Sequence, residues 1–200
     1  MTDRLRLVMN LAQANLSQLE SNSQFWIEEN DPFIRLIDKI SIETALLALL
    51  VDRVKNIPSD VRDSTHLLLR KLSSIARCER SLVLLMRFPH TAVSLGITHI
   101  ILSKFGYKDE AFDMAIDQAL KSGHVESVER IPFRAMDVEW VKSLIFSEEE
   151  ENRLNNLLQY TTVTSVAHPI YMNRNDAYAI THALMYATDF GRKSLPLFLT

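Results

Sequence analysis

Four glycines in 200 residues are what most restrict this chain. An average globular sequence of this length carries about 14. Glycine supplies the positive-φ positions on which tight β-hairpins depend, so a hairpin-rich sheet fold is disfavoured from the outset. Helices need few such positions, and the apolar residues are spaced for helices. Leu5, Val8, Met9, Ala12, Leu16 and Leu19 form the first i, i+3, i+4 series, and comparable series recur almost to the C-terminus. The expectation is an all-α protein of about eight to ten helices in antiparallel hairpins, forming an α/α solenoid or partial toroid.

Local signals place the helix ends. Asp31-Pro32 reads as an N-cap followed by proline at the first helical position. Ser41 with Glu43 reads as the opening of a core helix through Ala45–Val51, and Ser59 as the cap of a helix reaching Ala76. A short helix from Glu79 stops at Pro89. Helices over Thr91–Lys104 and Lys108–Lys121 are closed by Gly106 and Gly123. Asp137–Phe146 and a segment capped by Ser147 and its run of four glutamates follow, the latter burying Leu154, Leu157 and Leu158. Thr161–Asn173 is the longest stretch without helical spacing, a short strand or an ordered loop. Prolines at 32, 58, 89, 132, 169 and 196 keep the beat of helical hairpins. Ile97-Thr-His99 recurs as Ile180-Thr-His182, with a further Thr-His at 65–66, as in a weak internal repeat. The reading is one helical domain over residues 1–200, with residues 1–30 as an N-terminal helical extension.

Composition narrows the function classes. A net charge of −3 gives no footprint for nucleic acid or an anionic membrane, so neither is expected as a partner. Cys78 is the lone cysteine, which rules out an intrachain disulfide and fits a reducing, cytoplasmic compartment. Its neighbours Arg77 and Arg80 could lower its pKa, although an idle thiol is the simpler reading. The N-terminus lacks the apolar run of a signal peptide, and no stretch is long enough to span a bilayer. Gly-rich phosphate loops, Gly-x-Ser-x-Gly, Cys-x-x-Cys, His-Glu-x-x-His and calcium loops do not occur, so the sequence names no cofactor; the last helix has no His-x3-His or Glu-x-x-His pair, so no metal site is assigned, and His168 is the best candidate for a further ligand.

Chemistry concentrates on the last helix. Tyr178, His182, Met185 and Asp189 fall at i, i+4, i+7 and i+11, a single stripe flanked by Tyr186. Ile180, Ala183, Leu184 and Ala187 occupy the opposite side. Between Asp176 and Gly191 there is no Lys or Glu, unlike an ordinary wetted face. Such amphipathic groups suit a cavity, a buried polar network or an interface. In the cavity reading, His182 is a general acid/base, Asp189 its electrostatic partner and Tyr186 a hydroxyl donor, with Tyr178, Thr181, Met185 and the preceding His168 contacting substrate. Asp189 stands seven residues from His182, about 10 Å along the axis. His66 and His99 lie opposite their helices' apolar stripes and are expected on outer, wetted faces. Trp26 and Trp140 are expected as packing anchors, and Pro132–Asp137 as a turn or a cavity rim.

The run Tyr178-Ala-Ile-Thr-His-Ala-Leu-Met-Tyr-Ala-Thr-Asp-Phe-Gly191 resembles the signature of a family of uncharacterised, all-helical bacterial proteins, largely actinobacterial. That signature reads Tyr-Ala-x-Thr-His, then Tyr-x-Thr-Asp-Phe-Gly, and is met here by Tyr178, Thr181, His182, Tyr186, Thr188, Asp189, Phe190 and Gly191. Members occur among specialised-metabolite genes. The resemblance therefore implies a tailoring or accessory protein that holds a small molecule or peptide. Members also continue beyond the motif, whereas this chain has nine residues after Gly191, so a toroid would be open, truncated or completed by a partner chain in an oligomer or hetero-complex. The alternative is a non-catalytic adaptor or subunit whose C-terminal helix and tail dock a partner protein.

Overall fold

The computed structural model describes residues 2–21, 33–146, 149–164 and 169–195. Among them are ten α-helices and no strand, so the all-α expectation holds. The chain divides into two compact units, Met1–Val125 and Glu126–Thr200. Among the described residues no helix is long and apolar enough to cross a membrane.

The N-terminal unit contains α1 (Thr2–Ser21), α2 (Leu36–Asp52), α3 (Ser59–Ala76), α4 (Glu79–Arg87), α5 (Ala92–Lys104) and α6 (Glu110–Lys121). Its centre is α5, which packs against α2, α3, α4 and α6. Ten of its thirteen residues are buried, so this helix has no wet side. Gly96 makes room for α6: a Cβ there would come within 3.2 Å of the Ile116 side chain. After α5 the chain reverses through Gly106 at φ 85°. Gly106 N–H donates to Ser103 O and Tyr107 N–H to Leu102 O, the paired closure that a left-handed residue permits. Gly123, φ 74°, follows α6 in the same role.

Two helix caps in this unit differ from the sequence expectation. Ser41 does not open a helix; α2 begins five residues earlier, at Leu36, and the Ser41 hydroxyl donates back to Ile37 O at 2.7 Å. The start is fixed instead by Asp38, whose carboxylate accepts the Arg35 N–H at 2.9 Å and the Arg35 guanidinium at 2.9 Å, the pair being buried together. Ser59 is the first helical residue of α3 rather than its cap, and Pro58 precedes it. Asp31-Pro32 and Trp26 lie outside the described residues.

The single turn α7 (His124–Ser127) spans the junction between the units. The C-terminal unit holds α8 (Pro132–Ser143), α9 (Glu149–Leu158) and α10 (Arg174–Ala187). Helices α8 and α9 run antiparallel: Glu139 meets Arg153, and the start of α8 shares a cleft with the turn after α9. Helices α8 and α10 run parallel, with Phe133 against Tyr178 at one end and Trp140 against Tyr186 and Phe190 at the other. The described part of Thr161–Asn173 is turn and one 3-10 turn, Pro169–Tyr171, with no strand. Thr161 and Thr164 hydroxyls donate to Leu158 O and Gln159 O, satisfying carbonyls at the end of α9 that a strand would leave unpaired.

Candidate functional site

Helix α10 starts with a strong local device. Asn173 is the N-cap: its Oδ1 accepts the N–H of Asn175 (2.7 Å) and Asp176 (3.2 Å), and Asp176 Oδ2 returns the favour to Asn173 N–H (2.9 Å). From that start the helical period carries Tyr178, His182 and Tyr186 onto the face that meets α8. The counterpart face of α8 presents Phe133, Arg134, Asp137 and Trp140. The aromatic stripe read from the sequence is thus a helix–helix seam over most of its length.

The seam changes character along its axis. At the N-terminal end, Tyr178 is 42% exposed, with the His182 ring stacked on it at 3.7 Å and the Arg134 guanidinium 5.5 Å from its ring centre. His182 Nδ1 donates to Tyr178 O at 2.8 Å. A carbonyl only accepts, so in the neutral ring the hydrogen sits on Nδ1 and Nε2 holds the lone pair. Among the described residues nothing hydrogen-bonds that Nε2.

In the middle, Tyr186 is buried, and its phenol lies near enough to the Asp137 carboxyl for each to bear on the other's titration. Burial raises the Asp137 pKa above the usual carboxylate range, while Tyr186, Arg134, His182 and Arg130 oppose the shift. The Tyr186 phenol is also pushed up, by burial first and then by the Asp137 charge, so it stays a hydrogen donor. The acid that joins the aromatic stripe is therefore Asp137, three residues before Trp140 on another helix.

At the C-terminal end, Asp189 Oδ1 accepts the Trp140 indole N–H at 3.0 Å. Asp189, Phe190 and Gly191 all have positive φ (46°, 55° and 81°), a left-handed turn that closes the helix. For an aromatic residue this conformation is strained. It is held by Phe190 N–H to Met185 O (2.7 Å), Lys193 N–H to Thr188 O (2.8 Å) and the Phe190 ring 4.8 Å from Trp140. The run Thr188-Asp-Phe-Gly191 thus builds a helix terminus around a buried tryptophan. None of the interactions His182 makes reaches Asp189.

A cleft of about 690 Å³ opens beside the N-terminal end of the seam. Its wall is formed by the start of α8 (Ile131–Arg134), the turn after α9 (Tyr160–Thr162) and the start of α10 with Tyr178. Its volume lies within the range of small-molecule sites. Pro132–Asp137, readable in the sequence as a turn or a rim, is the first part of α8, and Pro132, Phe133 and Arg134 are rim as well.

Of the residues expected to act together, Tyr178 lies on this wall, His182 stands behind it, and Tyr186 is buried deeper. Thr181 is exposed, with its hydroxyl donating to Ala177 O and Tyr178 O on its own helix. Met185 is half-buried and lies off the wall. His168 lies outside the described residues. In the sequence, Arg134 and Asp137 have no role beyond membership of the Pro132–Asp137 turn or rim, and Tyr160 and Arg174 are not singled out. Arg134 and Asp137 fall at i, i+3 next to Phe133 and Trp140, the one signal that could have marked a polar face on that helix. Among the described residues no three His, Cys, Asp or Glu side chains are grouped to hold a metal ion.

His99 departs from expectation. It is 1% exposed rather than wetted. Arg77 Nε donates to its Nδ1 at 2.9 Å, its Nε2 donates to Asp113 Oδ1 at 2.8 Å, and Phe112 stacks on it at 5.4 Å. Burial drives its pKa below the ordinary histidine value; the Asp113 hydrogen bond opposes this and the Arg77 charge adds to it. The expectation failed because a helix buried on every side has no outer face. His66 is exposed, as expected. Cys78 is half-buried at the start of α4, 3.2 Å from the Ser81 hydroxyl. Burial raises its pKa, but the hydrogen bonds from Ser81 together with Arg35 outweigh that and leave it below the usual thiol value.

No curated protein and no solved structure matches the chain. A family model described as a domain of unknown function, DUF6895, matches residues 5–199, and the chain belongs to that family.

Proposed function

We propose that this protein binds a small molecule or peptide in the cleft at the N-terminal ends of α8 and α10. In that reading it is a cytoplasmic accessory or tailoring protein of bacterial specialised metabolism, built on helical hairpins stacked as a solenoid or partial toroid. The observation that carries the reading is the meeting, on one concave wall, of Tyr178 from the signature helix with Tyr160–Thr162 from the long connection before it. Tyr178 contacts the ligand. His182 is a positioning residue: stacked on Tyr178 and bonded to its carbonyl, it holds the phenol against the wall. The pair Asp137–Tyr186 fixes the next turn of the same seam.

Ligand-detected NMR screening of a small-molecule library tests this, with Thr162→Trp as the control that fills the cleft. Hits that disappear in Thr162→Trp at unchanged melting temperature support the reading. Hits that persist at full strength in that variant overturn it.

A second reading, docking of a partner protein, draws on Ile170 and Tyr171, which are 76% and 84% exposed on the 3-10 turn before α10. Replacing both with serine would abolish capture of a cognate partner in that case and leave small-molecule binding unchanged.

A further inference from the structure

We infer that the cleft selects an organic anion, a carboxylate or phosphate carried on a flat unsaturated ring. This rests on the reading of the cleft as a ligand site and adds the ligand's chemistry. The wall groups that are not engaged within the protein carry it.

The Asp176 carboxylate, the Thr161 hydroxyl and the Tyr178 ring are engaged. Asp176 has its Oδ2 on the Asn173 N–H, and the first free amides of α10 are taken by the Asn173 side chain. The helix start is therefore closed on itself and is not the anchor. Thr161 donates to Leu158 O at 2.7 Å. The Tyr178 ring has His182 stacked on it and the Arg134 guanidinium over it.

What remains is dominated by donors. Among the described residues the side chains of Arg174, Asn175, Thr162 and Tyr160 make no hydrogen bond, ion pair or ring contact, and all four line the cleft. Arg134 has only long polar contacts, 3.4 Å to the Tyr178 hydroxyl and 3.9 Å to Asp137. The wall itself carries two guanidiniums, Arg134 and Arg174, against the Asp176 carboxylate, whose Oδ2 is taken by the Asn173 N–H; Asp137 lies off the wall, 3.9 Å from Arg134. A guanidinium presents its donors as a planar fork that matches carboxylate and phosphate oxygens. Tyr160, 70% exposed, offers an uncovered ring, and Ile131, 59% exposed, an aliphatic side chain on the same wall. An oxyanion at Arg134 and Arg174 places an attached ring on Tyr160, where stacking adds to the charge.

The test is titration of the ¹⁵N-labelled full chain with 2-naphthoate, its neutral isostere 2-naphthamide, 2-naphthyl phosphate and inorganic phosphate, reading amide shifts at Thr162 and Asn175. Saturable shifts with a naphthyl anion, at least about tenfold tighter than with the amide, are expected. Arg174→Gln and Arg134→Gln should each weaken the anion about fivefold or more and leave the amide unchanged. Whether the carboxylate or the phosphate binds tighter identifies the oxyanion. Equal binding of anion and amide, both lost in Thr162→Trp, overturns the charge selection while the ligand site stands. Naphthyl phosphate no tighter than inorganic phosphate overturns the ring. Absence of shifts at the cleft with every probe, or anion binding untouched by Thr162→Trp, overturns both.

Discussion

His99 and His182 sit in the same tripeptide, Ile-Thr-His, on helices of similar length, and the two units treat them oppositely. In the N-terminal unit His99 is sealed, with one ring nitrogen accepting from Arg77 and the other donating to Asp113. In the C-terminal unit His182 is half-buried, and only its Nδ1 is engaged, by its own helix. The preceding threonine follows suit: Thr98 is 2% exposed, whereas Thr181 is exposed. Identical local sequence therefore carries no functional meaning by itself. What separates a structural imidazole from one available to other groups is whether neighbouring helices supply a donor and an acceptor for both nitrogens.

That contrast can be broken most directly by truncation. His99→Ala opens a cavity and leaves Arg77 and Asp113 without their shared partner; a loss of about 2–4 kcal/mol in urea unfolding is expected. His182→Ala should cost less than about 1 kcal/mol. Equal losses would mean that His182 is as structural as His99. In the C-terminal unit the larger effect belongs to the other end of the seam. Asp189→Ala removes the acceptor for Trp140 and a residue tolerant of positive φ, for about 2 kcal/mol. Asp189→Asn keeps both features and should cost about half as much or less.

Acid sharpens the comparison further. The folded pKa of His99 lies below its unfolded value of about 6.5. Its contribution is complete above about pH 6.5 and is lost as pH falls from there toward the folded pKa, because the unfolded chain takes up the proton first. The loss approaches about 1.4 kcal/mol per pH unit for one proton. The charged groups around it are Arg77, Asp109 and Asp113. Stability of wild type and His99→Gln, measured between pH 7.5 and about pH 5, should diverge in slope; parallel curves would remove His99 as the source. A small effect is expected at Gly106→Ala. No neighbour lies within 4 Å of the new methyl, so only the positive φ is penalised, by about 1 kcal/mol.

These residues also show what a sequence can and cannot disclose. The ends at Gly106 and Gly123 were legible because their cause is local: a left-handed residue after a helix favours glycine. Tyr178 at a cleft was legible too, from a helical face with no lysine or glutamate. The same criterion, applied to residues 92–102, would have exposed His99, since that stretch has no Lys, Glu, Asp or Arg at all. Opposition to an apolar stripe was the wrong guide there, because α5 is covered on every side. Pairing Asp189 with His182 relied on spacing along one helix. The acid that reaches the stripe, Asp137, comes from a second helix whose register no single-helix argument supplies. Ser41 was misplaced because the Arg35–Asp38 pair, a buried ion pair rather than a hydroxyl cap, sets where α2 starts.

The enclosure of α5 has a dynamic corollary. With no side facing solvent, its backbone amides can meet deuterium only when the surrounding helices part, so no fraying mode of the helix alone serves them. Their exchange rates should converge on one opening free energy and make α5 the slowest clock in the N-terminal unit, against which every looser segment can be timed.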